Sequence, residues 1–210
     1  DEIVMLWKAL DLENKTIDIY PLTKLLLKMI LLTGQRPGEV AGMTIDEVSE
    51  IDGAPWWKIP ANRMKTKTPH DVPLNDMAMD TVSTAIKLSG GSRFVFRSSF
   101  KKDANISVRA ISRAVARHLK DIKIDKFTPH DLRRTCRTGL AKLGVSDIVA
   151  EKVLSHRLQG VLGIYNRACY EQERLAALGL WESHIQKIVG EKIQPTAKVT
   201  SLGEYRARKA

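Results

Sequence analysis

Apolar residues recur at helical spacing along most of this chain, and the pattern is interrupted only between Trp56 and Leu74. Leu22, Leu25, Leu26, Met29 and Ile30 predict a helix, with Gly34 to cap its end. That helix is apolar nearly all round, which places it in the core. Pro37 suits the first position of a further helix over Gly38 to Met43. Trp56 to Ile59 predicts a short strand and His70 to Leu74 a return strand, with Lys65 to Pro69 as the hairpin turn between them. Pro73 has no N–H to donate and confines the return strand to an edge.

Beyond the hairpin the helical stripes resume. Asn75 can cap a helix built on Ala78, Val82, Ala85 and Ile86, which Gly90 and Gly91 end. Phe94 to Phe96 reads as a brief buried piece. Val108, Ile111, Val115 and Leu119 form the next stripe, with Arg109, Arg113, Arg117 and Lys120 on another face. Leu132, Cys136, Leu140 and Leu143 follow, closed by Gly144, and Ser146 starts a short helix through Leu154. Leu175, Leu178, Ile185 and Ile188 give a final helix. No internal repeat or low-complexity tract appears. The expected fold is mainly α with a small antiparallel β-sheet, in a domain over 1–190 and a tail over 191–210 that is flexible or docks on a partner.

Charge narrows the choice of partner. The 210 residues carry a net charge of +10. Thirteen Lys and Arg against four Asp between Arg93 and Arg137 supply most of it. Scattered lysines would mean only a solvated surface, but clustering of this kind favours a polyanion. Cys136 and Cys169 lack metal-ligand spacing and read as reduced thiols. The apolar run Leu25 to Leu32 is too short to span a bilayer, and no signal peptide is visible. A cytoplasmic, nucleoid-associated protein without membrane contact is expected. The chain begins at Asp1 rather than Met, which reads as a fragment or a processed product.

Candidate chemistry concentrates between Thr128 and Tyr165. Thr128 can cap a helix with Pro129 at its first position, which puts His130 and Arg133 in the opening turns. Exposed N–H groups and the positive dipole end favour a phosphate there, and the Arg fork can hold two of its oxygens. A bare His-x-x-Arg is more often an ordinary capped helix. Here His156 follows, and Tyr165 lies nine residues further on, in a segment loosened by Gly160 and Gly163. Arg36 sits at another helix mouth, and Glu39 can pair with a neighbouring cation to stiffen it. Lys65 near the hairpin tip can protonate a leaving hydroxyl, with Lys67 as its competitor. Tyr170 is the nearest rival of Tyr165.

Together these residues resemble the catalytic domain of tyrosine recombinases, and among them the prophage and pathogenicity-island integrases. Thr33-Gly34-Gln35-Arg36-Pro37-Gly38-Glu39-Val40 is similar to the family's first arginine box, and His130-Asp131-Leu132-Arg133-Arg134-Thr135 to its second. Ile59 to Thr66 with Val72-Pro73-Leu74 resembles its lysine hairpin, and His156 and Tyr165 stand at the expected distances. Ser155 departs from the Gly that many relatives carry before this His, a change expected to matter little. The resemblance covers nearly all of the chain and implies the tyrosine recombinase catalytic-domain fold.

The resemblance also implies roles. Tyr165 attacks the scissile phosphate and joins the 3′ end. Arg36, Arg133 and His156 hold the nonbridging oxygens, Lys65 is the general acid, and His130 assists proton transfer. Lys67, Arg109, Arg113, Arg117 and Arg134 are the expected DNA-positioning set. Neither cofactor nor metal is implied. The implied partners are double-stranded attachment sites and further copies in a tetramer on DNA, with a host DNA-bending protein and an excision factor as candidate accessories. A type IB topoisomerase-like activity and a noncatalytic DNA-binding module are the competing classes. The short chain and the surroundings of Arg36 and Lys65 speak against the first, and Tyr165 against the second.

Overall fold

In the computed structural model, residues 2–101, 103–156 and 170–190 are described. The chain is built around α2 (Pro21–Thr33), almost every residue of which is buried. Its apolar character on all faces has a direct cause, since α4 (Asp76–Ser89), α6 (Pro129–Lys142) and α8 (Glu171–Val189) all pack against it. Even Lys24 is enclosed. Its ammonium donates to the carbonyls of Asp11 and Asn14 at 3.0 and 2.7 Å, which fastens the turn after α1 (Glu2–Ala9). Burial holds its pKa below the ordinary lysine value.

The sheet has three antiparallel strands in the order β1 (Val48–Ile51), β2 (Ala54–Ile59), β3 (His70–Pro73). Trp57 lies opposite both Val48 and Val72, and Ile59 opposite His70. β3 is an edge strand, as Pro73 requires. β1 and α1 are additions to what the pattern suggested. Val48-Ser49-Glu50-Ile51 is too short and polar to announce itself, and only the ladder to β2 makes it a strand. The link from β2 to β3 is longer than a hairpin turn. It holds a 3-10 turn over Ala61–Arg63 and then a turn closed by Lys67 N–H donating to Met64 O at 3.1 Å.

The remaining helices fall close to their expected places. α3 spans Pro37–Ala41 and stops short of Met43. α5 (Val108–Ile122) is capped by Ser107, whose hydroxyl accepts the Ala110 N–H. α7 (Asp147–Val153) is capped by Ser146. α8 buries Arg174, Ala177, Leu178, Trp181, Glu182 and Ile185, whereas Leu175 and Ile188 are only half-buried. Two charged residues therefore share its inward face. Glu182 accepts the Met77 N–H at 3.0 Å and so serves the start of α4. Trp181 donates to Leu31 O at 2.8 Å and fills the notch at Gly139, where a Cβ would stand 2.1 Å from the indole. These contacts bind α8 to α2, α4 and α6.

Candidate active site

Two helix starts meet at the centre of the site. Gly34 ends α2 in the left-handed conformation, with φ of 66°, and turns the chain toward α3. Close packing also restricts that position, because a Cβ there would lie 2.8 Å from Leu154 and 3.0 Å from the Cys136 sulfur. Arg36 is the N-cap of α3, followed by Pro37. Glu39 accepts the Arg36 amide at 3.1 Å and its guanidinium at 2.8 Å, and thereby steers a side chain that stays partly open to solvent.

α6 opens in a parallel way. Thr128 is its N-cap and Pro129 its first residue. The Asp131 carboxylate accepts the Thr128 amide and hydroxyl at 2.8 and 2.7 Å, and these bonds, with help from Arg134, hold its pKa at about 2. One turn further in, Arg133 is 2% exposed. It donates to Gly34 O and Leu154 O, both at 2.6 Å. Backbone carbonyls from two separate connections thus set the plane of one guanidinium. Burial, and then the like charge of Arg36, lower its pKa to about 10, so it remains a cation at neutral pH. His130 lies exposed on the same first turn. Its pKa is lowered by desolvation and then by Arg133 and Arg134.

Arg133 also donates to His156 Nε2 at 2.8 Å. A guanidinium cannot accept, so Nε2 is the acceptor and the ring proton sits on Nδ1. Nδ1 faces the Glu151 carboxylate, which also accepts from Arg137 Nε at 2.8 Å. Burial alone would raise the Glu151 pKa, but the bonds from Arg137 and His156 outweigh it and keep the group ionised. Behind this wall Gln35 and His70 both engage Val153 O, at 2.8 and 3.1 Å. His70 is buried, and desolvation followed by the charge of Arg174 pushes its pKa down to about 3. It is a neutral donor. Ser155 has a φ of 54°, a left-handed conformation that favours glycine. The Ser at this position therefore carries a backbone cost that a Gly would not.

The structure places Arg133 in contact with His156, with Arg36 near enough for its charge to act on both Arg133 and His130. Lys65 and Lys67 are exposed in the β2–β3 connection, and Lys67 has a φ of 56°. Arg109, Arg113 and Arg117 are exposed along α5. α5 begins beside α3, since Val108 would meet a Cβ on Gly38 at 3.5 Å. Arg134 is exposed and pairs with Asp131 at 2.7 Å. Cys136 is a free, buried thiol. Tyr165, with Gly160, Gly163, Cys169 and the tail over 191–210, lies outside the described residues. Tyr170 is described and caps α8. The supporting groups Gln35, His70, Glu151 and Arg137 were not singled out as site residues from sequence. Gln35 stands inside the first box, but nothing along the chain marks the other three.

The chain and its fold are similar to known proteins. Prophage integrase IntA of Escherichia coli (strain K12) is 33% identical over 169 residues, which cover 80% of this chain and 40% of IntA. The chain thus spans about two fifths of that relative's length. The XerH site-specific recombinase in a pre-cleavage complex with its difH substrate superposes with a TM-score of 0.60 at 17% identity, covering 86% of this chain and 52% of that one. A lambda integrase tetramer bound to a Holliday junction superposes with a TM-score of 0.55 at 20% identity, covering 81% and 47%. The fold is that of these recombinases. The model of the phage integrase family matches residues 1–172, and the chain belongs to that family.

Proposed function

We propose that this chain is the catalytic core of a site-specific DNA recombinase, which cuts and rejoins strands through a 3′-phosphotyrosine to integrate and excise a mobile element. The observation that carries the reading is the wall formed by Arg133, held by Gly34 O and Leu154 O, in contact with His156 and beside Arg36. Two neighbouring guanidinium groups are suited to the nonbridging oxygens of a phosphodiester. Their positions are set before the substrate arrives, so little reorganisation accompanies the growth of negative charge at phosphorus.

The steps follow from the residues. Tyr165 oxygen forms a bond to phosphorus, and the bond from phosphorus to O5′ breaks. Lys65 gives a proton to O5′, and His130 assists removal of the phenolic proton, since a phenol with a pKa of about 10 needs activation. His156, in contact with Arg133, joins the two arginines at the nonbridging oxygens. The 5′ hydroxyl of a partner strand reverses the attack. The phosphotyrosine keeps the bond energy, so the exchange needs no ATP. The substrate is duplex DNA at attachment sites on the bacterial chromosome, and the working assembly is a tetramer, a reading supported by the lambda integrase tetramer on its junction.

The test is adduct formation on a nicked duplex carrying the attachment site. Wild type should form a covalent protein–DNA adduct that persists in EDTA. Tyr165→Phe should bind DNA and form none. An adduct mapped to Tyr170, or one that survives in Tyr165→Phe, would overturn the assignment.

A further inference from the structure

We infer that Arg63 is a positioning residue for Lys65, fastening the loop that carries the proposed general acid to the helix start that carries Arg36. The inference rests on the reading of Lys65 as the proton donor to O5′. Lys65 stands in an exposed turn, and exposed connections are where local order is weakest. A general acid must nonetheless meet its oxygen within hydrogen-bond reach, and small displacements are costly.

Arg63 supplies the missing constraint. Its Nη2 donates to the Glu39 carbonyl at 2.5 Å, and its Nη1 donates to both oxygens of Glu47. Glu47 is itself held by Trp57 Nε1 at 2.9 Å and by the Thr44 N–H at 3.3 Å. Glu39 is the residue that steers Arg36. One unbroken set of bonds therefore runs from the Arg36 guanidinium, through Glu39, to the residue two before Lys65. Gly42 lets the guanidinium in, since a Cβ there would lie 2.9 Å from Arg63 Nη2. The next residue, Met64, is 1% exposed and accepts the Lys67 N–H at 3.1 Å, so the turn carrying Lys65 begins on a buried side chain. At its far end the loop enters β3 at buried His70. The loop is tied at both limbs, and the tie on the Lys65 side is Arg63.

A substrate with sulfur in place of the bridging O5′ separates positioning from folding. With oxygen, the bond from phosphorus to O5′ breaks as Lys65 supplies a proton. With sulfur, the electron pair leaves on a thiolate that needs no proton at that step. Cleavage rates are measured on nicked oxygen and sulfur duplexes at saturating protein. Lys65→Ala should slow the oxygen substrate about a hundredfold or more and approach wild type on sulfur. Arg63→Ala should slow the oxygen substrate about tenfold or more and come within about threefold of wild type on sulfur, with DNA affinity unchanged. Arg63→Lys should fall between, because a point charge cannot hold both Glu47 oxygens and the Glu39 carbonyl.

An equal loss on both substrates for Arg63→Ala, with Lys65→Ala rescued, would overturn the positioning role. Failure of sulfur to rescue Lys65→Ala would instead overturn the general-acid reading and this inference with it. If Arg63→Ala does not fold, Glu47→Gln decides. It keeps an acceptor for Trp57 and should show a smaller oxygen defect with the same sulfur rescue. Equal slowing on both substrates would overturn the inference there as well.

Discussion

Arg133 is buried and commits its guanidinium to Gly34 O and Leu154 O, whereas Arg109, Arg113 and Arg117 stand in solvent along α5. The same residue type does two kinds of work. In the wall, desolvation makes each bond matter, and backbone carbonyls, Gln35, His70 and Glu151 fix where the charge points. On α5, water screens the charge, and position along the helix matters more than any single geometry. Substitutions in the wall should therefore change chemistry and stability, and those on α5 should change attraction alone.

The largest effect is expected at the wall itself. Arg133→Lys keeps the charge but cannot bridge two carbonyls and an imidazole. Cleavage at saturating DNA should fall by about a hundredfold or more, with affinity little changed. Wild-type cleavage by this variant would remove the distinction between the two regions.

A second effect follows from His70. Its folded pKa, about 3, lies below the ordinary histidine value of 6.5. Below pH 6.5 the unfolded chain takes up a proton that the folded wall refuses. The stability that His70 provides is complete above that pH and is lost as pH falls toward the folded value. Denaturant titrations should show a loss on the order of 3 kcal/mol between about pH 6.5 and about pH 4. His70→Gln should flatten that part of the profile, and an unchanged slope would show that other groups set it.

Replacing Arg109, Arg113 and Arg117 by Gln should instead weaken binding to all duplexes. It should flatten the dependence of log affinity on log salt by about one unit for each phosphate no longer engaged. Cleavage at saturation should stay within about threefold of wild type if, as for solvated charges, position is all they supply. A defect in the chemical step would assign this face to the wall's kind of work.

The smallest effect runs in the opposite direction. Ser155 holds a left-handed backbone, with φ of 54°. Ser155→Gly should stabilise the protein by roughly 0.5–1 kcal/mol, read as a rise in Tm of a few degrees, because glycine adopts this conformation without strain. Along the chain Ser in place of Gly reads as inconsequential, since φ is not visible there.

Much of the architecture is legible along the chain. The uninterrupted apolar faces of α2 mark the central helix, Pro73 marks an edge strand, and Thr128 and Pro129 mark the start of α6. Arg36 and Arg133 are legible as a pair because both occur at helix starts within recognisable boxes. α1 and β1 are not, since a short segment owes its structure to what it pairs with. On α8, Arg174 and Glu182 share the buried face with Trp181, and apolar periodicity cannot count charged residues as core.

The order of residue types along the chain determined the helical class, the basic character and the set of groups proposed to act on a phosphodiester. These depend on side-chain chemistry and on spacing, both of which are local. Tertiary structure alone decided which groups hold the others in place. Arg133 meets Gly34 across 99 residues, His70 meets Val153 across 83, and Arg63 meets Glu39 across 24. Hydrogen bonds over such separations leave no period or motif in the sequence. They exist because burial in the folded chain leaves each donor no better acceptor than the carbonyl or carboxylate brought beside it.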